Sequence, residues 1–398
     1  MLIEDLTLLK CLGRGAFGEV YLTSKKGTQQ KFATKKISKK LCKNSKYKKY
    51  FDNEMQILKE ISHENIVKLY EKKETTNNYF LVMELCNGGS LTDCLEEYQN
   101  KNGKPFSEEI VQYLMKQIIG AIKYLHIKNI IHRDIKLDNI LVNFDSEEDK
   151  KNRNMLKSKV KIIDFGFARH LSPEELTISI VGTPINMDPG ILKMLSKKQK
   201  LENFVKYKYD QKADIWSLGT ICYEMLIGKS VFDSKSMTEL IDKIKIGKYS
   251  MSKKFSKETF SFLNGMLKYD LKKRKTADQL YNHPFLIKPY NQLLKIEYNV
   301  KDDLDNDEII ELNINESNII IDEPKPAFEP PLIKNEKDNK DKLFLEAFRD
   351  MNDDFIYIEP KLIPFIPGND PEFLIKFLKL MKTIFKIYDN VEKRIHFL

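Results

Sequence analysis

The sequence predicts an α+β chain of two lobes, a small antiparallel β lobe with one helix and a larger, mainly helical lobe. Three observations predict it. From residue 6 to 36 short apolar runs alternate with glycine and polar turns, the pattern of antiparallel strands. After Cys86-Asn87-Gly88-Gly89 the apolar period lengthens to that of a helix. The 398 residues are 41% hydrophobic and 31% charged, a composition that suits soluble globular domains.

Taken in order, Thr7-Leu8-Leu9-Lys10-Cys11-Leu12 reads as a first strand that enters a glycine-rich stretch, and Val20-Tyr21-Leu22 as the strand that leaves it. Phe32-Ala33-Thr34-Lys35 forms a third. Residues 46–61 place Phe51, Met55, Leu58 and Ile61 at helical spacing, with Glu54 among them. Strands around 66–71 and 79–84 complete five strands and one helix, a small lobe over 6–85. In the large lobe, 86–288, Ile110, Leu114, Gln117, Ile118, Ala121 and Leu125 describe one long amphipathic helix. Further helices are expected near 213–228, 237–246, 256–268 and 276–281, and the charged stretches 144–158 and 192–208 as surface loops.

Beyond residue 288 the character changes. Residues 289–331 read as a linker, acidic and rich in Asn and Ile over 301–323 and then proline-rich over 324–331 (Pro-Lys-Pro-Ala-Phe-Glu-Pro-Pro), where the chain is expected to be extended. In the tail, 332–398, Asp370-Pro371-Glu372 offers an N-cap, a proline at the first helical position and an acid in the first turn. Leu374, Phe377, Leu378, Met381, Ile384, Phe385 and Tyr388 follow, predicting an amphipathic helix over about 371–394.

Composition narrows the function. No run of 18 apolar residues exists, so no transmembrane segment is expected. The acidic start Met1-Leu2-Ile3-Glu4-Asp5 does not read as a secretory signal. Five scattered cysteines without a C-x-x-C pair argue for a reducing, cytoplasmic setting and against disulfides or zinc. The net charge of +9 divides into +17 for residues 1–300 and −8 for residues 301–398. The lysines of the body are spread out and lack interleaved aromatics, so they read as solvated faces, with no nucleic acid expected as a partner. An acidic tail folded back on a basic body is compatible with the asymmetry.

The chemistry lies in the order of the motifs. Leu12-Gly13-Arg14-Gly15-Ala16-Phe17-Gly18-Glu19-Val20 fits G-x-G-x-x-G-x-V, a weak pattern alone. Lys35 follows in a strand-like run, then His132-Arg133-Asp134 with Asn139, then Asp164-Phe165-Gly166. In this order they are the parts of a phosphoryl-transfer site. Over 6–288 the chain resembles a eukaryotic serine/threonine protein kinase. The resemblance implies the bilobal protein-kinase fold, ATP and Mg²⁺ as cofactors, and protein substrates with serine or threonine acceptors.

ATP carries several negative charges on flexible phosphates, so transfer needs positioning and charge compensation more than covalent catalysis. Gly13, Gly15 and Gly18 let backbone N–H groups close over the phosphates. By the resemblance, Lys35 pairs with the α- and β-phosphates and Glu54 aims it. Asp134 accepts the proton of the substrate hydroxyl, Lys136 steadies the γ-phosphate and marks the serine/threonine class, and Asn139 and Asp164 bind metal. Hard oxygen ligands suit Mg²⁺. Val20, Ala33 and Leu141 would enclose adenine, with Leu12 at the loop's edge, Met83 as gatekeeper and Glu84 to Cys86 as the hinge. Ser90 stands where some kinases place an acid toward the ribose, with Asp93 as a substitute. Leu58, Leu69, His132 and Phe165 are expected to stack across the lobes and rest on Asp214.

The resemblance also marks Arg133 as a receiver for an activation-segment phosphate on Ser179, or on Thr177 as the runner-up. Phe167 resembles kinases that prefer serine. The family's Ala-Pro-Glu reads Asp188-Pro189-Gly190, and its usual nearby tyrosine is Asn186. The missing glutamate leaves two outcomes for its arginine partner, Arg274: a neighbouring carboxylate replaces it, or the arginine turns to solvent. An ATP-binding scaffold of weak activity therefore stands as the alternative to an active kinase. Asp164-Phe165-Gly166-Phe167-Ala168-Arg169 resembles the Unc-51-like kinases, and Asn87-Gly88-Gly89-Ser90-Leu91-Thr92-Asp93 the Ste group. Calcium/calmodulin-type kinases share the general pattern. The tail helix has three candidate roles: docking on the chain's own large lobe, binding a regulatory partner, or peripheral contact with a membrane surface.

Overall fold

A computed structural model describes residues 2–3, 5–15, 18–170, 184–196, 211–293 and 309–315. The small lobe is a six-stranded antiparallel sheet of β1 (Leu2–Ile3), β2 (Leu6–Gly15), β3 (Gly18–Lys25), β4 (Lys31–Ser38), β5 (Leu69–Glu74) and β6 (Asn78–Met83). Its order is β1-β2-β3-β4-β6-β5, so β4 lies between β3 and β6. Pairing sets Val20 opposite Lys35 and Ala33 opposite Met83. One face carries α1 (Ser45–Glu60) through a cluster of Ile37, Tyr47, Phe51, Met55 and Leu81. Glu54 adjoins Met55 in that helix, so burial of the apolar stripe fixes where the carboxylate points.

One strand differs from expectation. The expected strand at 66–71 begins only at Leu69. Ile66 instead bridges Ile162, and Val67 N donates to Ile162 O at 3.0 Å, so this stretch ties the lobes together.

The large lobe contains α2 (Leu91–Asn102), α3 (Glu108–Ile127), β7 (Ile130–Ile131), β8 (Ile140–Phe144), α4 (Glu147–Asn152), β9 (Ser158–Ile162) and β10 (Arg169–His170). It continues with α5 (Pro189–Ser196), α6 (Lys212–Ile227), α7 (Met237–Ile246), β11 (Lys248–Ser252), α8 (Lys257–Met266), α9 (Ala277–Tyr281) and α10 (Pro284–Ile287). Ser107, Ser236 and Ser256 cap α3, α7 and α8 by accepting a backbone N–H with their hydroxyls. The apolar residues of the expected α3 stripe are buried and Gln117 is half-buried, while α6 is buried on almost every side, as a central helix should be.

The 144–158 excursion is more than a surface loop. Ser146 caps α4, Met155 is buried, and Arg153 (φ 51°) reaches back to Gly88 O at 2.5 Å and Glu97 Oε2 at 2.6 Å. The loop is thereby folded against the chain that follows the hinge.

Within the acidic part of the linker, Ile309–Asn313 forms β12, antiparallel to β11. Leu312 and Ile314 are buried, Ile314 N donates to Gly247 O at 2.8 Å, and Lys248 pairs with Glu311 at 3.0 Å. Gly247 makes the approach possible. Its φ is +76°, and a Cβ there would lie 2.7 Å from both Ile314 Cγ1 and Asn315 Nδ2. Gly247→Ala is expected to cost about 1–2 kcal/mol and to loosen β12, seen as a lower Tm and faster amide exchange over 309–315.

His283 gives the fold a pH dependence. Burial, aided by Lys275 and opposed by Glu258, lowers its pKa from the ordinary 6.5 to about 4. The neutral ring accepts from Phe285 N at 3.2 Å and leaves Nε2 to donate to Ser261 Oγ at 3.2 Å. The unfolded chain binds the proton near 6.5 and the fold does not, so stability is full above that pH and is lost as pH falls toward 4. His283→Gln is expected to flatten this dependence by on the order of 1 kcal/mol, read by denaturant titrations at pH 7 and pH 4.5.

Candidate active site

The site lies where the two lobes meet. Lys35 projects from β4 and Glu54 from α1, and Lys35 Nζ sits 2.8 Å from Glu54 Oε1 and 3.9 Å from Asp164 Oδ1. Burial disfavours the ammonium, but Glu54 and Asp164 outweigh it and hold the Lys35 pKa above its ordinary value. Burial, with Asp164 adding to it, pushes the Glu54 carboxyl up against the opposing pull of Lys35. Removing one member would leave an uncompensated buried charge. Lys36 points to the other face of the strand and meets Glu19 at 3.5 Å, as strand alternation requires.

The loop after β7 hangs on Asp214, the first-turn acid of α6. Its carboxylate accepts His132 N at 3.0 Å and Arg133 N at 2.9 Å and contacts His126 Nε2 at 2.9 Å. Burial alone would raise the Asp214 pKa; the His126 hydrogen bond, the charges of His126 and His132 and the His132 amide bring it below the ordinary value. Arg133 is bent to φ 71° within this arrangement. Asp134 follows and is 6% exposed. Asn139 Nδ2 donates to both Asp134 O and Asp134 Oδ2, each at 2.8 Å, and Lys136 Nζ lies 3.7 Å from the same carboxylate. Ile163 N donates to Asn139 O at 2.9 Å, which sets Asp164 beside this group. Asp164 has φ 63°, a conformation uncommon outside glycine, and its Oδ1 accepts Gly166 N at 3.3 Å. The structure therefore gathers the expected polar residues into two linked sets, Lys35–Glu54–Asp164 and Asp134–Lys136–Asn139, joined through Ile163.

One step of the expected stack is seen directly. The His132 and Phe165 rings meet edge to face at 5.1 Å, Leu58 lies in the same core and Leu69 packs against it. Asn53 joins α1 to the end of this segment by donating to Ala168 O at 2.7 Å. The sequence reading missed Asn53, although its place beside Glu54 on one helix is a usable signal.

Gly18 has φ +137°, and a Cβ there would stand 2.1 Å from Lys36 O in β4. Only glycine lets the hairpin close so near the Lys35 strand. Gly13 has open space where a Cβ would stand, and Gly15 pairs with Gly18 across the hairpin. Leu12 is exposed, whereas Val20, Ala33, Met83, Glu84, Cys86 and Leu141 are half-buried, as walls of an open cleft would be. Leu141 sits on β8, bridged to Ser90. Glu84 N is engaged with Lys68 O, and the Glu84 carboxylate with Lys161 at 2.7 Å, a second partner the sequence reading did not find. Burial and then Glu84 push the Cys86 thiol up to about 12, so it stays protonated at neutral pH. Asp93, read as a substitute at the ribose, is engaged in a local contact. Its Oδ2 accepts from Ser90 N at 2.8 Å and Ser90 Oγ at 2.7 Å in a capping box at the start of α2.

Arg274 keeps a buried carboxylate despite Gly190. It is 1% exposed, and its Nη1 lies 2.6 Å from Asp188 Oδ2, two residues before Gly190. It also donates to Lys268 O and Lys212 O and covers the Trp216 ring at 5.2 Å. Asn186, in place of the usual tyrosine, accepts from Ser217 Oγ at 2.7 Å through its backbone and from Thr220 Oγ1 at 3.1 Å through its side chain. Thr177, Ser179, Thr183 and the tail helix lie outside the described residues.

Among the described residues no three His, Cys, Asp or Glu gather as a closed metal cage. The Asp164 carboxylate and the Asn139 side-chain oxygen fit an ion of another kind, one bound by one or two protein oxygens and otherwise by water and phosphate, as Mg²⁺ is. No helix among the described residues is long and apolar enough to cross a membrane.

The family model described as "Protein kinase domain" matches residues 6–286, and the chain belongs to this family. It is similar to serine/threonine-protein kinase atg1 of Dictyostelium discoideum, 33% identical over 71% of this chain and 39% of that protein. Human serine/threonine-protein kinase ULK1 is 36% identical over 69% of this chain and 24% of its own length. Calcium-dependent protein kinase 5 of Plasmodium berghei is 37% identical over 70% of this chain and 45% of its own length. The matches thus span less than half the length of each of these relatives. They agree with the resemblance to Unc-51-like kinases carried by Asp164–Arg169 and with the general pattern shared with calcium/calmodulin-type kinases.

Proposed function

We propose that the chain is an active serine/threonine protein kinase that transfers the γ-phosphoryl group of ATP to protein hydroxyls. The observation that carries this reading is the Lys35 ammonium held at 2.8 Å from Glu54 and 3.9 Å from Asp164, which assembles the cation and carboxylates that phosphate chemistry needs. In this reading Lys35 neutralises the α- and β-phosphates while Glu54 keeps it aimed. The glycine hairpin closes over them with backbone N–H groups. Asp134 holds the acceptor hydroxyl and takes its proton late in the transfer, and Asn139 fixes the Asp134 carboxylate for that task. Lys136, beside Asp134, faces the γ-phosphate. Asp164 and the Asn139 oxygen would hold Mg²⁺, which supplies charge compensation at the phosphate oxygens. Leu12, Val20, Ala33, Met83 and Leu141 enclose the base, with Glu84 O and Cys86 N as hinge contacts.

The competing reading, a weakly active ATP-binding scaffold, drew on Gly190. The Asp188–Arg274 pair supplies a buried counter-ion for Arg274 and supports the active reading instead. The domain division of 6–288, a linker over 289–331 and a tail over 332–398 belongs to the same proposal, with protein substrates as partners and a cytoplasmic site of action. Phosphate transfer to a generic basic protein, with nucleotide binding measured in parallel, tests it. Transfer well above background supports a kinase, and binding without transfer favours the scaffold.

A further inference from the structure

Between α5 and α7 lies a cavity of about 130 Å³ lined by Pro189, Leu192, Ile241, Ile244, Lys245 and Tyr269. The lining is apolar apart from the Lys245 stem and the Tyr269 hydroxyl. It adjoins Asp188-Pro189-Gly190, next to the segment on which a protein substrate would lie. Beside it β12 is zipped onto β11, and the described chain continues to Asn315, where Asn315 Nδ2 donates to Lys245 O at 3.2 Å. Lys245 thus belongs both to the cavity wall and to the seat of the chain that leaves β12.

We propose that this cavity is the docking site of the chain's own residues Ile319–Ile321, delivered to it by β12. Four features support the assignment. First, Ile320 is five residues past Asn315, a reach of roughly 16 Å in an extended chain, which suffices to enter a groove whose rim Asn315 already touches. Second, Asn-Ile-Ile-Ile-Asp is the first continuous apolar run after β12, and branched aliphatic side chains suit a small apolar hollow. Third, the hollow continues an interface that already buries Leu312 and Ile314 over the end of α7. Fourth, charge favours the anchor. The residues just before β12 include Asp302, Asp303, Asp305, Asp307 and Glu308, and Lys253 and Lys254 directly follow β11. In sequence the acidic run directly precedes Ile309 and the lysines directly follow Ser252, the two residues that pair at the end of the ribbon. The occupied groove would brace α5, and through it the substrate side of the large lobe, so the tail acts on protein-substrate binding more than on nucleotide binding. That consequence rests on the kinase reading; the docking does not.

Photo-crosslinking of the full chain tests the docking without any activity measurement. With Ile320→benzoylphenylalanine, irradiation is expected to give intramolecular adducts on peptides holding Pro189–Leu192 or Ile241–Lys245, in a yield independent of protein concentration. Leu312→Asp in the same background is expected to lower that yield roughly tenfold or more, because the tether that raises the local concentration is lost. Adducts only elsewhere, adducts only between molecules, no adduct, or a yield unchanged by Leu312→Asp would each overturn the proposal. A chain that crosslinks as expected but transfers no phosphate would retire the kinase reading and leave this one standing.

Discussion

Asp134→Asn is expected to lower turnover by ~10²–10⁴-fold, the usual contribution of a positioned general base. The amide has the shape of the carboxylate and can still accept from Asn139 Nδ2, now 2.8 Å away, so the loop should keep its form. It cannot take the hydroxyl proton, and it leaves Lys136 without the negative charge now 3.7 Å from its Nζ. The loss should therefore fall on kcat, with KM for ATP little changed, because Asp134 is not among the groups proposed to hold the nucleotide. Steady-state kinetics with an unchanged melting curve as the folding control would show it. A loss in KM alone would move Asp134 from proton transfer to binding.

The second large effect is on stability. Asp188→Asn is expected to cost ~3–5 kcal/mol, because Arg274 would remain buried without a counter-ion. For a domain of this size that corresponds to a fall in Tm of about 10 °C. The geometry leaves the guanidinium little escape: it is stacked on Trp216 and fixed by Lys268 O and Lys212 O as well as by Asp188. Replacing both partners, Asp188→Leu with Arg274→Met, is expected to recover part of the loss, since the desolvation of both charges disappears together. Thermal melts of the two variants distinguish a pair that stabilises from one that merely coexists. An Asp188→Asn protein as stable as the parent would mean that the peptide carbonyls alone satisfy Arg274.

Most of the polar side chains that the structure gathers between the lobes were named from the sequence. Lys35, Glu54, Asp134, Asn139 and Asp164 were legible because each residue type is demanded by the chemistry and their order along the chain is restrictive. The long helices were legible from period, and α7 appears at the expected 237–246. Part of what escaped depends on contacts between residues far apart in sequence. For Arg274 the sequence left two outcomes open, a neighbouring carboxylate or solvent, because nothing local says which carboxylate meets an arginine 86 positions after Asp188. The helix α4 escaped because Glu-Glu-Asp-Lys-Lys-Asn has no apolar period; a serine cap and its own charges hold it. Asp93 looked free to face a ligand because its bond to Ser90 is a matter of local geometry. The tail strand left a trace that acidic composition obscured: Leu312 and Ile314 alternate with Glu311 and Asn313 at the period of a strand.

The most direct measurement of the central claim is transfer of radiolabel from the γ-position of ATP to a protein substrate in the presence of Mg²⁺, comparing the parent chain with Asp164→Ala. The account predicts clear incorporation into serine or threonine by the parent and none above background for the variant, with both chains folded. Equal incorporation by the two, or none by a folded parent that binds nucleotide, would contradict it.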